Sequence, residues 1–389
     1  MQSFLHKSFL LSRFHQLCHL IVFDVVHDFS ILCDRIFSLD RPLAKLAEED
    51  RRIASAIFEL NNNRIWGLVM TANLSARSYA GESDLEPIAH LINTCEKVDR
   101  LDEGTSISEL QQEFNQPSLD VARDIRLWED AEGKLIAFAQ LSISEPGEVI
   151  DGWLWFRVHP DARSGDVESA TVAWGETRMR EVEKELGVRV KLRSWTRAEN
   201  ADRISLLTNC GFKADRYFCR LARSLSEPIP EPEFPEGFLL SQFPGEQDSE
   251  AWVEMFNQSF IDHWNHHDLT VDKFKYDLAK PDYRNDLDLI AVADDGTFVA
   301  FCYCEISGDE CDRTGRNQGW IACLGTRRGF RKIGLGRAML LAGLHRLKAA
   351  GVETAVIGVD AENPYGAMGL YESVGFHNIR DTISYVKDV

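Results

Sequence analysis

The sequence contains two copies of one short pattern, separated by the length of a domain. Each copy begins with Ala-Glu-Asn, continues through a helix-like segment and ends in Gly-Phe. Asn200 and Asn363 are 163 residues apart, and Gly211 and Gly375 are 164 apart. Because this period is too long for a solenoid, the pattern predicts two duplicated domains.

A proline-rich segment lies between the two copies. Residues 226–237 hold four prolines and four glutamates. Proline removes backbone donors and favours extended conformations, so we expect a semi-rigid spacer here. The chain then divides into an N-terminal extension at 1–70, a first domain at 74–225 and a second domain at 238–389. The extension is predicted to be helical and has no functional assignment.

Both copies alternate strands and helices in the same order. In the second copy an apolar stripe at helical spacing predicts a helix over 249–260. The turn D-D-G-T at 294–297, between two apolar runs, predicts a β-hairpin. We therefore predict an α+β (mixed α/β) fold of two tandem domains, each with a mixed, mostly antiparallel central sheet flanked by helices.

Composition limits the classes of partner. The chain has 389 residues and a formal net charge of −19, which argues against binding to nucleic acid or to an anionic membrane surface. We find no run of the ~18 uncharged residues that a membrane helix needs. Nine cysteines without regular spacing indicate reduced thiols in a cytoplasmic protein, and no metal site is predicted.

This acidic chain nevertheless concentrates positive charge in one short stretch. Residues 326–337 hold five Arg or Lys side chains around Gly334 and Gly336, just before a predicted helix over 335–350. A helix N-terminus leaves about four backbone N–H groups unpaired and carries a partial positive charge. Glycine lets a ligand approach the backbone closely. The stretch therefore predicts a cradle for an anion such as pyrophosphate.

Two common phosphate-binding loops do not fit this stretch. A P-loop requires G-x-x-x-x-G-K-[ST], which the stretch lacks. A dinucleotide-binding loop requires a third glycine, and Met339 stands in that position. What remains is R-x-x-G-x-G, formed by Arg331, Gly334 and Gly336 late in a mixed sheet. It is followed by Asn363 and by a Tyr-x-x-x-Gly-Phe segment that begins at Tyr371.

These two motifs resemble those of the GCN5-related N-acetyltransferase (GNAT) family. The family signature is [RQ]-x-x-G-x-[GA], followed by an asparagine and a Tyr-x-x-x-Gly-Phe segment, and their order and separation match. The resemblance is strong over 238–389, weaker over 74–222 and absent from 1–70. The tandem arrangement is similar to that of mycothiol synthase-like acetyltransferases.

The resemblance implies acetyl-CoA as co-substrate. The strand before the loop would hold the pantetheine arm, and the loop itself would hold the pyrophosphate. Tyr371 would act as the catalytic acid that protonates the departing thiolate. The implied cofactor-binding residues are Cys323, Leu324, Gly325, Thr326, Arg331, Lys332, Ile333, Gly334, Leu335, Gly336, Arg337 and Asn363.

The general base is not fixed by the sequence. The position at which the family often has a glutamate is Trp320 here. Glu305 is the best substitute as a catalytic residue, although an ordinary polar strand position explains it equally well, and His263 is a weaker candidate. Two other roles also stay open: Asn363 fits an N-cap of a helix that starts at the following proline, and Tyr371 fits a core aromatic.

The predicted function is an acetyl-CoA-dependent N-acetyltransferase of class EC 2.3.1.-, with its active site in the second domain. A primary amine of a small molecule or a protein would attack the thioester directly. The alternative is an acyl-CoA-binding sensor without turnover. In the first copy Asp166 and Glu168 align with the two loop glycines, and Leu207 aligns with Tyr371, so that copy is predicted to be non-catalytic.

Overall fold

Twelve strands form one continuous sheet. The computed structural model describes residues 74–100, 104–145, 147–363 and 365–389. The predicted extension at 1–70 lies outside these residues. Within them, ten α-helices flank the sheet, and only two neighbouring strand pairs are parallel. The prediction of a mixed, mostly antiparallel α/β fold is therefore confirmed.

The elements repeat in the same order on either side of the linker. We call residues 74–225 the first half and residues 238–389 the second half. The first half contains β1 Ser75–Ser78, α1 Leu85–Asp99, α2 Ile107–Phe114, α3 Val121–Asp124, β2 Ile125–Glu129, β3 Leu135–Ile143, β4 Val149–Val158, α4 Asp166–Leu186, β5 Arg189–Arg197, α5 Ala201–Asn209 and β6 Lys213–Ser224. The second half contains β7 Phe238–Gln242, α6 Ser249–Phe260, α7 Val271–Leu278, β8 Asp288–Ala293, β9 Phe298–Glu305, α8 Gly308–Thr314, β10 Gln318–Thr326, α9 Leu335–Ala349, β11 Thr354–Asp360, α10 Ala367–Glu372 and β12 His377–Asp388.

The two halves exchange their last strands. The strand order is β1-β2-β3-β4-β5-β12-β6-β11-β10-β9-β8-β7. Strand β6 of the first half pairs with β11 of the second, from Phe218 opposite Asp360 to Ser224 opposite Thr354. Strand β12 of the second half pairs with β5 of the first. Each half therefore needs a strand from the other half to complete its part of the sheet.

Helices cover both faces of the sheet over separate apolar cores. Helix α9 is buried along most of its length against β8, β9 and β10. Gly343 allows this close approach, since a Cβ there would lie 2.5 Å from Cys302 Sγ. On the other face, Trp252 of α6 stacks on Phe274 of α7 with ring centroids 4.1 Å apart. In the first half, α4 likewise contacts β3, β4 and β5, and α1 packs with α2 over a separate core.

Further contacts join the halves outside the sheet. The Tyr276 hydroxyl on α7 donates to the backbone oxygen of Gln112 on α2 at 2.5 Å. In the linker, the Pro230 backbone oxygen lies 3.0 Å from His345 Nε2 on α9. Phe234 packs against the core beneath α9. The linker therefore contacts the second half at Pro230 and at Phe234.

Three helices differ from the sequence prediction, and one of them, the single turn α3, was not predicted. The helix expected over 364–374 is shorter, because α10 begins at Ala367 after Gly366, whose φ is 74°. Helix α8 was not predicted, since no residue in it is buried and it has no apolar stripe. None of the helices in the described part of the chain is both long and apolar enough to cross a membrane.

The strand exchange predicts how fragments behave. We expect residues 238–389 alone to lose cooperative thermal unfolding, because without β6 the strand β12 has no partner and β11 keeps only its short pairing with β10. A fragment of residues 213–389, which keeps β6, should unfold cooperatively. Circular dichroism melts of both fragments test this. Equal melts for the two fragments would contradict the proposed dependence on β6.

Candidate active site

A gap opens in the sheet where two parallel strands diverge. Strands β10 and β11 pair only over Gln318–Trp320. A bulge follows between Ile321 and Cys323, after which β10 stays with β9 and β11 stays with β6. Among the described residues, the edge of β10 beyond Trp320 that faces the gap has no strand partner. It can therefore bind an extended ligand as an additional strand would.

The N-terminus of α9 points at this gap. Gly334 is the N-cap residue with a φ of 101°, a backbone conformation that disfavours any side chain. No side chain of the described residues caps the helix. A Cβ on Gly336 would lie 3.4 Å from Thr326 Oγ1, so glycine keeps the space beside the strand end open. The first amides of α9 are thus available to an anion.

A cavity of about 340 Å³ occupies this region. Ten of the predicted site residues line it: Leu324, Gly325, Thr326, Arg331, Lys332, Gly334, Gly336, Arg337, Asn363 and Tyr371. Its volume lies in the range of ~300–1,000 Å³ that is usual for ligand sites. The sequence motifs, which are far apart in the chain, therefore converge on one space.

Four predicted site residues do not line the cavity. Leu335 lies in the core and Cys323 packs against the aromatic cluster beneath α6, while Ile333 is exposed. Glu305 is opposite Trp320, four residues before the first cavity-lining position of β10. Although this residue as a whole is exposed, burial of its carboxyl group raises the pKa of Glu305.

The five positive side chains of the loop fall into two groups. Arg327 pairs with Glu254, and both Arg328 and Arg331 pair with Asp262. Lys332 and Arg337 form no ion pair with other described residues, and both line the cavity. Only these two charges are therefore left for a ligand. Arg337 lies in the first turn of α9, where the helix amides add to its attraction for an anion.

Arg331 fastens the loop to neighbouring elements. Its Nε donates to Thr326 O at 3.1 Å, and its Nη2 donates to Ser259 O at 2.8 Å. Its Nη1 donates to Asp262 Oδ2 at 2.9 Å. Each guanidinium nitrogen therefore has a protein partner, so the geometry gives Arg331 a positioning role rather than direct contact with phosphate.

The first half contains the same fastening without an open anion site. Arg163 Nε donates to Val158 O at 3.1 Å, and its other nitrogens bond to Asp99. Here the helix N-cap is Gly165, with a φ of 89°, so the loop is one residue shorter than the sequence alignment assumed. Glu168 in the first turn of α4 accepts a hydrogen bond from Gly165 N at 3.0 Å.

The two halves differ in the charge of one residue in the first turn of this helix. Counted from the N-cap, the third residue is Glu168 in α4 and Arg337 in α9. The first-half carboxylate thus occupies its own helix N-terminus, as a bound anion would. The second half presents a cation there instead. This corrects the alignment of Asp166 and Glu168 with the two glycines. Of these two corresponding helix N-termini, that of α9 is the open one.

Tyr371 and Asn363 lie at the far wall of the cavity. Tyr371 is 7% exposed, and burial raises its pKa well above the usual range, so its phenol keeps its proton at neutral pH. Asn363 Oδ1 accepts from Tyr365 N at 2.9 Å. Since α10 begins only at Ala367, Asn363 does not cap it; Asn200 of the first half does cap α5.

His263 lies in the cavity wall with a defined hydrogen bond. Its Nδ1 is 2.9 Å from the backbone oxygen of Trp264, and its ring packs edge-on against Phe260. A carbonyl oxygen only accepts, so in the neutral ring Nδ1 carries the proton and Nε2 keeps its lone pair. The weaker sequence candidate for the base is thus the one that the fold brings to the cavity.

Sequence analysis missed several residues of the wall. Asp262 holds two loop arginines, and Asp360 at the end of β11 accepts two bonds from Arg216 of β6, at 2.9 and 2.8 Å. Trp264 contacts Phe218 of the same strand. A strand of the first half therefore supports the site in the second. The sequence carried a signal only for residues 260–264, because Phe-Ile-Asp-His-Trp also resembles a segment of the family that the glycine loop resembles.

Comparison with known proteins agrees with this geometry. Residues 249–376 match the model of the Acetyltransferase (GNAT) family. These residues form a GNAT-family acetyltransferase domain. The chain is 28% identical over 313 residues to a "Mycothiol acetyltransferase" of Thermobispora bispora. This alignment covers 79% of the chain and 96% of the relative. A Frankia casuarinae protein of the same name is 28% identical over 268 residues, 66% of this chain and 71% of the relative.

Solved structures extend the likeness to both halves. A GCN5-related N-acetyltransferase from Sphaerobacter thermophilus superposes with a TM-score of 0.65 and 24% identity, covering 81% of this chain and 95% of that one. A tandem GNAT protein from the clavulanic acid biosynthesis pathway superposes with a TM-score of 0.61 and 13% identity, covering 81% of this chain and 98% of that one. At these identities the likeness concerns the fold, and the predicted tandem GNAT architecture is confirmed.

Proposed function

We propose that the protein is an acetyl-CoA-dependent N-acetyltransferase whose active site is the second-half cavity. The observation that carries the proposal is the open N-terminus of α9 beside the unpaired edge of β10. The glycines leave room for a diphosphate there, and Lys332 and Arg337 supply charge. The residues therefore fit the pyrophosphate and pantetheine arm of a coenzyme A thioester.

The chain's own residues supply proton transfer on either side of the thioester. We assign His263 Nε2 as the base that takes a proton from the amine as its nitrogen bonds to the acetyl carbon. The carbon–sulfur bond breaks as the new amide forms. The protonated phenol of Tyr371 gives its proton to the departing sulfur. Tyr371 then regains a proton from water, and His263 releases to water the proton that it took. Unpaired backbone N–H groups of β10 where it borders the cavity, within Leu324–Thr326, are suited to stabilise the carbonyl oxygen.

The acceptor is proposed to be a small-molecule primary amine. The relatives named mycothiol acetyltransferase favour a small molecule over a protein. The net charge of −19 attracts cationic amines over long range. The same geometry also suits a sensor that binds acyl-CoA without turnover, so the two possibilities need a functional test.

Turnover separates an enzyme from a sensor. We expect acetyl-CoA with a panel of small primary amines to release free thiol, measured with a thiol reagent, at a rate that depends on the amine. Mass spectrometry should show an amine product heavier by one acetyl group. Coenzyme A binding without thiol release for any amine would support the sensor and contradict the enzyme.

Arg337→Glu tests the cofactor site without straining the loop. The new carboxylate would occupy the N-terminus of α9 as Glu168 does in α4, so coenzyme A affinity should fall at least a hundredfold by calorimetry. Stability should stay equal or rise by about 0.5 kcal/mol, because an acid suits the first turn. Lys213→Glu, at an exposed position of β6, is the charge-matched control and should bind normally. Unchanged affinity in Arg337→Glu would place the diphosphate elsewhere.

The two candidate bases are distinguished by matched substitutions. His263→Gln should lower kcat by roughly 10²–10⁴, because it removes the proton acceptor in the cavity wall. Glu305→Gln should change kcat little, since that carboxyl lies outside the cavity. Steady-state kinetics at fixed saturating acetyl-CoA measure both. The opposite pattern would restore Glu305 as the base.

A further inference from the structure

The loop between α6 and α7, residues 261–270, carries the proposed base and contacts both halves. Near its start, Asp262 ties it to the glycine loop of the second half. In its middle, Asn265 has a φ of 54°, a left-handed backbone that persists only where the surroundings hold it. Beyond this residue, His267 Nε2 lies 3.8 Å from Asp151 Oδ2, on β4 of the first half. The first half therefore takes part in holding this loop.

The indole ring of Trp264, in the same loop, packs against three side chains of the first half. The guanidinium carbon of Arg193, on β5, lies 4.9 Å from the ring centre, and that of Arg216, on β6, lies 5.6 Å from it. The ring of Phe218 is 5.8 Å away. A guanidinium within about 6 Å of an aromatic ring is attracted to its π-electrons. These contacts fix the position of the indole ring.

Arg193 is itself held firmly. It is buried, and its Nε donates to Asp151 Oδ1 at 2.5 Å while its Nη1 donates to Asp215 Oδ2. Its guanidinium carbon also lies 5.6 Å from the centre of the Trp153 ring. Two carboxylates therefore compensate the buried charge and set the direction of the guanidinium plane. Asp151 thus approaches the loop twice, directly at His267 and through Arg193.

The backbone of Trp264 holds the proposed base. Its carbonyl oxygen accepts from His263 Nδ1 at 2.9 Å, which leaves the lone pair of the neutral ring on Nε2. Without this acceptor the ring is free to carry its proton on Nε2, and that nitrogen then takes no proton from an amine. The position of Trp264 therefore decides whether His263 is available as a base.

We propose that Arg193 and Asp151 of the first half are positioning residues for His263 and act on it through Trp264. The inference rests on the proposed function, because it takes His263 as the base. Neither Arg193 nor Asp151 lines the second-half cavity, so their effect does not pass through contact with substrate. The non-catalytic half thereby acquires a role in the reaction of the other half.

The first half contains a second buried ion pair that serves as the control. Arg178 Nε, on α4, donates to Asp124 Oδ1 at 2.8 Å, and both side chains are as buried as those of Arg193 and Asp151. Within the described part of the chain, no ion pair or ring contact joins Arg178 to the α6–α7 loop. Equivalent substitutions in the two arginines therefore separate positioning from general stability.

Arg193→Lys keeps the positive charge and loses the planar group that faces Trp264. We expect kcat to fall roughly 10- to 100-fold, because a small displacement of a catalytic group is enough for such a loss. Coenzyme A affinity, measured by calorimetry, should not change. Arg178→Lys should keep the wild-type kcat even if its melting temperature falls as far. An unchanged kcat in Arg193→Lys, an equal loss in Arg178→Lys, or a parallel loss of coenzyme A affinity would overturn the proposal.

The tautomer of His263 gives a readout that does not depend on turnover. In ¹⁵N NMR spectra of histidine-labelled wild-type protein, the neutral ring should carry its proton on Nδ1, with the signal assigned by its loss in His263→Gln. Arg193→Lys should shift the ring toward the Nε2-protonated form. Trp264→Leu, which leaves the pair of Arg193 and Asp151 intact, should do the same and decides the matter if Arg193→Lys does not fold.

Two NMR results would overturn the positioning role. One is an Nε2-protonated His263 in wild-type protein, and the other is a tautomer that neither Arg193→Lys nor Trp264→Leu changes. Failure of the proposed function has a different signature, since His263→Gln would then keep the wild-type kcat.

Discussion

The pairing of β6 with β11 and β12 is the constraint on which the rest of the structure depends. It places a first-half strand in the middle of the sheet, next to the strand that borders the candidate active site. From β6, Arg216 holds Asp360 and Phe218 contacts Trp264, so the cavity wall is built from both halves. The two halves repeat one order of elements, but they form a single sheet.

Within that framework, a single position in a helix first turn separates the two halves. The backbone is nearly the same in both, with a glycine N-cap at positive φ and an arginine that fastens the loop. Glu168 fills one helix terminus with its own carboxylate, and Arg337 leaves the other open. Electrostatics at the helix end, and not the fold, decides which half presents an anion cradle.

Sequence alone predicted the features that are local in the chain. The glycine loop, the Tyr-x-x-x-Gly-Phe segment and the helix over 249–260 depend on short-range spacing, and the structure has them. The strand exchange and the engagement of Arg331 by Asp262 depend on partners far apart in the chain, which no spacing encodes. The position of His263 in the cavity wall also depends on long-range packing. Glu305 lies opposite Trp320, outside the part of the sheet that borders the cavity.

The placement of β12 has a consequence for synthesis on the ribosome. Strand β5 is synthesised well before its partner, because the paired residues Arg197 and Thr382 are 185 residues apart in the chain. Until then the nascent chain carries an open strand edge and an unfinished apolar layer, which favour aggregation. Such long-range pairing also slows folding. Strand β5 therefore cannot complete its pairing until residues 377–388 have been synthesised.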